Sequence, residues 1–316
     1  MPSLDETKGV QTRAAAAGAV LRVVVAGGCW GLAAVFAKTA FDRGVPPVRM
    51  AEARVLVALV FLLVLVGLWR RDLLRPPPGT APALVAFGLT TALVNAAYYI
   101  AIDRLPVGVA ISIQYTAPAL LLGVAAITAA RKPDRLAWLA AGLTLAGAVL
   151  VSEAFRGLRG VDGLGLLAAL ASAVMFASYL TTAEVAGRKG THPATTLLWG
   201  FIVAVAAWSV AAPWWSWPVA KLAQPKVALA VLGVGVVGTL IPFFLAVGAV
   251  RVLPPATAGI AATSEPPFAA AFAWIFLGQH LSIAQILGGL LVVSGVVLAQ
   301  RAAAVPPRAV PMEVTP

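Results

Sequence analysis

The chain has 316 residues, of which 61% are hydrophobic and only 11% charged, and it carries a formal net charge of +11. A water-soluble domain carries about 25% charged residues. This composition, with a mean hydropathy of +0.94, excludes a soluble globular chain and indicates an all-α integral membrane protein. The single cysteine, Cys29, excludes an intrachain disulfide framework or a Cys-rich metal centre.

Uncharged runs of about 20 residues, the length that spans a bilayer as a helix, recur along the chain. They predict ten transmembrane helices near 20–40, 49–69, 81–102, 105–129, 136–152, 163–185, 194–213, 227–250, 253–277 and 281–300. Residues 1–19 and 301–316 are expected to be terminal tails. Span one carries Trp30 and Lys38, the latter near one end and able to snorkel. Span two opens with Arg49, Glu52 and Arg54; Arg49 and Glu52 share a helix face. Span three places Asn95, Tyr98 and Tyr99 at helical spacing, as helix packing or as a polar face lining a cavity. Span four contains Gln114-Tyr115-Thr116-Ala117-Pro118. Gly142 and Gly147 in span five, and Gly233, Gly235 and Gly238 in span eight, are positioned for close helix approach. Tyr179 and Glu184 in span six and Trp199 in span seven are weaker site candidates. Trp214, Trp215 and Trp217 read as an interfacial anchor.

Span nine holds the costliest feature. Val252 to Gly278 is free of charge except for Glu265, and Glu265 is followed by Pro266 and Pro267 and preceded by Thr263 and Ser264. A carboxylate resists losing its water, and proline leaves helix carbonyls without a donor. Inside a membrane, ionisable groups and broken helices together mark a cavity or a buried partner. Glu265 is twelve residues from Leu253, about 18 Å along the helix and near the middle of a ~30 Å core.

The chain also repeats. Shifted by 148 positions, Leu105-Pro106 falls on Leu253-Pro254, Pro118 on Pro266 and Gly147 on Gly295. Each copy holds five spans, at 20–152 and 163–300, so the second enters the membrane inverted, a recurrent plan of secondary transporters with a midplane site. The prolines are shared, but Ala117 stands where the second copy has Glu265.

Alternate loops divide the basic residues fourteen to six. The richer side receives both termini, which the positive-inside rule assigns to the cytoplasm of a multi-pass plasma-membrane protein. This topology accounts for most of the positive charge, and no basic domain or basic-aromatic pattern points to nucleic acid. The two histidines, His192 and His280, lie in separate loops, and neither a metal site, a phosphate loop nor a nucleophile motif is present.

These residues resemble the drug/metabolite transporter superfamily, in its EamA-type branch of two five-helix repeats. The resemblance rests on Trp30-Gly31, Lys38, Arg54, Leu105-Pro106-Val107-Gly108 and Pro118 in the first copy. In the second it rests on Ser264-Glu265-Pro266, Phe276-Leu277-Gly278, Gln285-Ile286-Leu287-Gly288-Gly289 and Gly295. The stretch from Asn95 to Pro118, Pro193-Ala194-Thr195 and the Glu-Pro segment looks most like the threonine/homoserine exporter group. The family usually has an acid after Gly278, where this chain has Gln279; the first copy has Arg131-Lys132 there.

The resemblance implies a carrier of small metabolites, an exporter more often than an importer. It implies alternating access around a cavity formed by spans one, three, four, six, eight and nine, and neither metal nor organic cofactor. The partners expected are a small-molecule substrate and the lipid bilayer; a homodimer is also compatible with the sequence. Substrate- or proton-binding candidates are Glu265, Ser264, Thr263, Gln114, Tyr115, Thr116, Asn95, Tyr98, Tyr99, Lys38, Arg54 and Trp30, with helix breaks at Pro118, Pro266 and Pro267. Glu265 has three readings: a proton carrier, a ligand for a substrate ammonium, or one half of a fixed ion pair. Competing functions are an intramembrane lipid-modifying enzyme and a non-transporting scaffold or sensor.

Overall fold

The structure, a computed structural model, describes residues 4–128, 132–157, 162–211 and 213–303, with side chains from Ala14 onward apart from Trp214. Arg131, Arg159, Arg308 and the side chains of Lys8 and Arg13 therefore lie outside the described residues.

The first repeat comprises α1 (Leu4–Phe41), α2 (Pro47–Trp69), α3 (Ala81–Arg104), a broken span of α4 (Val107–Gln114) and α5 (Ala117–Thr128), and α6 (Arg135–Val151). The second comprises α7 (Gly163–Arg188), α8 (Pro193–Ala211), a short surface helix α9 (Val219–Leu222), and α10 (Pro225–Gly235) joined to α11 (Ile241–Ala249). It closes with a second broken span, α12 (Pro255–Ala262) and α13 (Glu265–Leu277), and with α14 (Ile283–Ala303). Among the described residues nine helical segments are long and apolar enough to cross a membrane, and α6 supplies a shorter apolar tenth.

α1 begins at Leu4 rather than near residue 20, so the expected tail boundary does not coincide with a helix end. Ala14 to Ala17 are the best helix formers available, and nothing in that stretch stops the helix.

The packing obeys the repeat. The contact of α3 with α7 is matched by that of α1 with α10 and α11, α4 with α7 by α12 with α1, and α5 with α7 by α13 with α1. α6 and α14, equivalent helices, pack on each other. Glycines permit that approach: a Cβ on Gly147 would lie 2.6 Å from the Gly288 carbonyl oxygen, and one on Gly295 2.8 Å from that of Ala140. Gly142 differs from expectation, since it faces open space and no helix packs on it.

Span eight contains a feature the sequence analysis did not predict. Val236–Leu240 forms a π-helical turn, with Thr239 Oγ1 donating to the Val234 carbonyl at 2.9 Å. Pro242 follows at once. A proline ring clashes with the carbonyl four residues earlier and supplies no N–H, and the widened turn accommodates it. Gly233, Gly235 and Gly238 of this span press on Phe36, Val57 and Ala33 of α1 and α2.

On the face away from the termini the halves are tied together. Arg49 and Glu52 pair at 2.9 Å, the structural alternative foreseen for Glu52. Trp217 Nε1 donates to Glu52 at 2.7 Å, so this tryptophan is part of a polar cluster and more than an interfacial anchor. Lys221 donates to the Gly44 carbonyl at 2.9 Å, and Ser282 to Glu153 at 2.6 Å.

Leucine at Gly147 or Gly295 is expected to lower stability by about 1–3 kcal/mol through overpacking of α6 on α14. Alanine at Gly142 should be neutral or stabilising, because Gly costs up to ~1 kcal/mol relative to Ala in a helix. Thermal unfolding of the purified variants in detergent checks both.

Candidate functional site: a cavity at two helix breaks

The two breaks are local consequences of proline. Pro118 leaves the Gln114 carbonyl without its donor, and Pro266 and Pro267 do the same to Ala262 and Thr263. The chain tightens at both places. Thr116 N–H bonds to the Ile113 carbonyl at 3.0 Å, and Thr263 and Ser264 N–H to those of Ile260 and Ala261, each at 3.2 Å. The threonine hydroxyls close the same turns, Thr116 Oγ1 to Ile113 at 2.7 Å and Thr263 Oγ1 to Ile260 at 2.6 Å. The breaks match through the 148-residue offset: α4 and α12 are eight residues each, and α5 and α13 start at Ala117 and Glu265.

α1 fixes the second break. Gly27 lies against Ser264, and a Cβ on Gly31 would come within 2.6 Å of the Ala269 nitrogen. Ser264 is therefore directed at α1, where its buried hydroxyl has no hydrogen-bond partner, and Glu265 is turned the other way.

Glu265 faces a cavity of about 100 Å³. At ~10–15 Å³ per water, that space holds about seven to ten water-sized groups, enough for a small solute, and it is smaller than the ~300–1,000 Å³ of drug-sized pockets. Trp30 of α1, Arg54 of α2, and Val94, Asn95 and Tyr98 of α3 form one side. Ile111 and Gln114 of α4, the break residue Tyr115, Phe176 and Tyr179 of α7, Phe243 of α11 and Glu265 complete it.

The polar groups are held individually. Tyr115 donates its hydroxyl to Glu265 Oε2 at 2.7 Å, a bond between the two breaks. Arg54 Nη2 donates to Asn95 Oδ1 at 2.5 Å, and Asn95 Nδ2 donates in turn to the Thr91 carbonyl at 2.7 Å. Arg54 and Glu265 line the same cavity without forming an ion pair. Three buried polar atoms on its wall lack a partner: Arg54 Nε, Gln114 Oε1 and the Tyr179 hydroxyl. An unsatisfied buried polar atom costs about 1–3 kcal/mol, so each of the three would gain from a polar group placed in that space.

The apolar wall is aromatic. Phe243 packs on Trp30 at 6.0 Å and on Tyr179 at 5.4 Å, and Tyr179 stacks on Phe176 at 6.0 Å.

Of the candidates read from the sequence, Trp30, Arg54, Asn95, Tyr98, Gln114, Tyr115 and Glu265 meet in this cavity. Lys38 does not: it is half-exposed and paired at 2.9 Å with Asp42, four residues on and just past the end of α1. Thr263, Ser264 and Thr116 are directed at backbone or at α1. Tyr99 is buried in the core beside Tyr98. Pro118 packs under Gly259, Pro266 is buried, and Pro267 lines a separate apolar groove with α14. Glu184, at the end of α7, pairs with Arg188 at 2.7 Å. Trp199 donates to the Leu74 carbonyl at 3.1 Å.

Tyr179, a weaker candidate in the sequence, is central here, and span two joins the cavity through Arg54. Phe176 and Phe243 were not anticipated. Phe176 is three residues from Tyr179 and so shares its face, a readable signal, whereas Phe243 is aimed by the unforeseen π turn.

Residues 17–153 and 163–300 each match the EamA-like transporter family. The chain belongs to this family. Curated relatives include the threonine/homoserine exporter RhtA of Salmonella typhimurium, 27% identical over 230 residues, 71% of this chain and 73% of that protein. The protein of the same name from Escherichia coli K12 is 26% identical over the same shares. A solved crystal structure at 19% identity superposes with a TM-score of 0.72, covering 90% of this chain and 96% of that one, and shows the fold alone. This EamA-like chain departs from the family's loop acid at Gln279, where Gly278, at φ 66, caps α13 in the left-handed conformation.

Tyr115→Phe should lower stability by about 1–3 kcal/mol, since it leaves the buried Glu265 without its hydrogen-bond donor. In the Glu265→Gln background the same change should cost less. A double-mutant cycle on thermal unfolding measures the difference.

Proposed function

We propose that this protein is a secondary transporter that exports amino acids or related small metabolites across the cytoplasmic membrane by alternating access, coupled to protons through Glu265. Both termini face the cytoplasm in this reading, as the fourteen-to-six division of basic residues favours. The observation that carries it is a lone acid at the second helix break, facing a small cavity whose other walls come from both repeats. Such a site can be exposed to one face and then the other when the repeats rock around it.

The relatives' names give the substrate class to test first, threonine and homoserine. The cavity is sized for a small solute.

The test is counterflow and proton-driven uptake of labelled L-threonine and L-homoserine in proteoliposomes. Glu265→Gln is expected to lose at least about tenfold in uphill transport, since a single coupling acid has no substitute in the cavity. A folded Glu265→Gln protein that still drives uphill movement with unchanged proton dependence would show that Glu265 is not the coupling group.

A further inference from the structure

Arg54 and Glu265 present opposite charges to one small cavity and leave each other unpaired. Each is steadied by a neutral neighbour, Asn95 for the cation and Tyr115 for the acid. Those bonds use one guanidinium nitrogen and one carboxylate oxygen, leaving Arg54 Nε without a partner. The two charges belong to different repeats, and across the 148-residue offset each faces an apolar counterpart, Ile202 for Arg54 and Ala117 for Glu265.

We infer that the cavity holds its substrate as a zwitterion spanning the two repeats. The carboxylate docks on Arg54, the ammonium docks on Glu265, and the unpartnered Tyr179 hydroxyl and Gln114 amide oxygen select a hydrogen-bonding group on the substrate side chain. The inference rests on the transport reading above and assigns its substrate contacts.

The chemistry favours this occupant over simpler ones. A buried charge is tolerated only when it is paired. A plain amine would satisfy Glu265 and leave Arg54 isolated, and a plain carboxylic acid would do the reverse. A zwitterion supplies both counter-charges without changing the net charge of the site. The planar guanidinium suits a carboxylate in two-point contact, and a carboxylate oxygen accepts readily from an ammonium. The aromatic walls of Trp30, Phe176 and Phe243 surround the aliphatic part and exclude water. Tyr179 is 2% exposed, so its unused hydroxyl favours a ligand that can bond to it over one that cannot.

The test compares ligands on the purified full-length protein by calorimetry and thermal shift. L-Threonine is the reference. 1-Amino-2-propanol lacks its carboxylate, 3-hydroxybutyrate lacks its ammonium, and L-2-aminobutyrate lacks its hydroxyl. Unmodified protein is expected to bind threonine at least about tenfold more tightly than each of the three, the factor typical of a lost charged or buried hydrogen bond. Arg54→Gln should abolish the preference over 1-amino-2-propanol, and Glu265→Gln the preference over 3-hydroxybutyrate. Tyr179→Phe should reduce the preference over 2-aminobutyrate, with the Gln114 amide oxygen retaining the remainder.

Equal binding of threonine and either charge-deleted ligand by the unmodified protein overturns the clamp, whether or not any variant folds. In that event, transport of threonine would leave the export reading standing. Absence of both binding and transport for all twenty standard amino acids would overturn the two together.

Discussion

The hydrogen bond between Tyr115 and Glu265 is the point from which the interior is built. It joins residues 150 positions apart in sequence, one at each of two helix breaks whose helices run in opposite directions in the inverted repeat. α4 and α12 are each eight residues long, about 12 Å at 1.5 Å per residue. That length is a little less than half of a ~30 Å hydrocarbon core. Two such helices entering from opposite faces therefore bring their breaks to nearly the same depth, where they can bond. Inversion of the repeat makes the meeting a matter of chain length and topology.

The same geometry explains why α1 is rich in glycine where it passes the second break. Gly27 and Gly31 lie against Ser264, Phe268 and Ala269, and a larger side chain at either position would push the break towards the cavity. Ser264 fills the space on the α1 side, so that Glu265 is left on the other. Adjacent residues on a helix point about 100° apart, which follows from 3.6 residues per turn. The serine and the acid serve different neighbours for that reason. Reading Thr263, Ser264 and Glu265 as one polar patch overlooks it.

Much of this was legible in the sequence because its carriers are local. Pro118 and Pro266 locate the breaks, and a fixed offset pairs them. Glu265 stands out because no other charge shares its run, Asn95 and Tyr98 share a helix face by their spacing, and Gln114 and Tyr115 lie at the break that Pro118 marks. What was not legible depends on packing. Lys38 looks like a buried cation until Asp42 is seen one turn away in a half-exposed pair. Arg54 is a site candidate in the sequence, but that its side chain leaves the neighbouring Arg49–Glu52 pair and reaches Asn95 on α3 is set by packing. Phe243 owes its position to the π turn at Val236–Leu240, and an extra residue in a helical turn rotates everything after it. No period in the sequence reports that rotation.

α2 links the cavity to the face away from the termini. Arg54 lies in the cavity wall, and two and five residues earlier on the same rigid helix are Glu52 and Arg49. Glu52 accepts from Trp217, and Arg49 Nη2 donates to Ser216 at 2.5 Å. Trp217 and Ser216 belong to the second repeat, as does Glu265. A solute bonded to both Arg54 and Glu265 therefore bears on the same pair of bodies that the face cluster holds together. Packed helices move as units rather than deforming continuously. A shift of α2 large enough to change the span between the two cavity charges must also strain the Glu52–Trp217 and Arg49–Ser216 bonds. In the transport reading proposed above, occupancy of the cavity and the contacts on that face would be coupled through α2, without requiring a chain of intermediate residues between them.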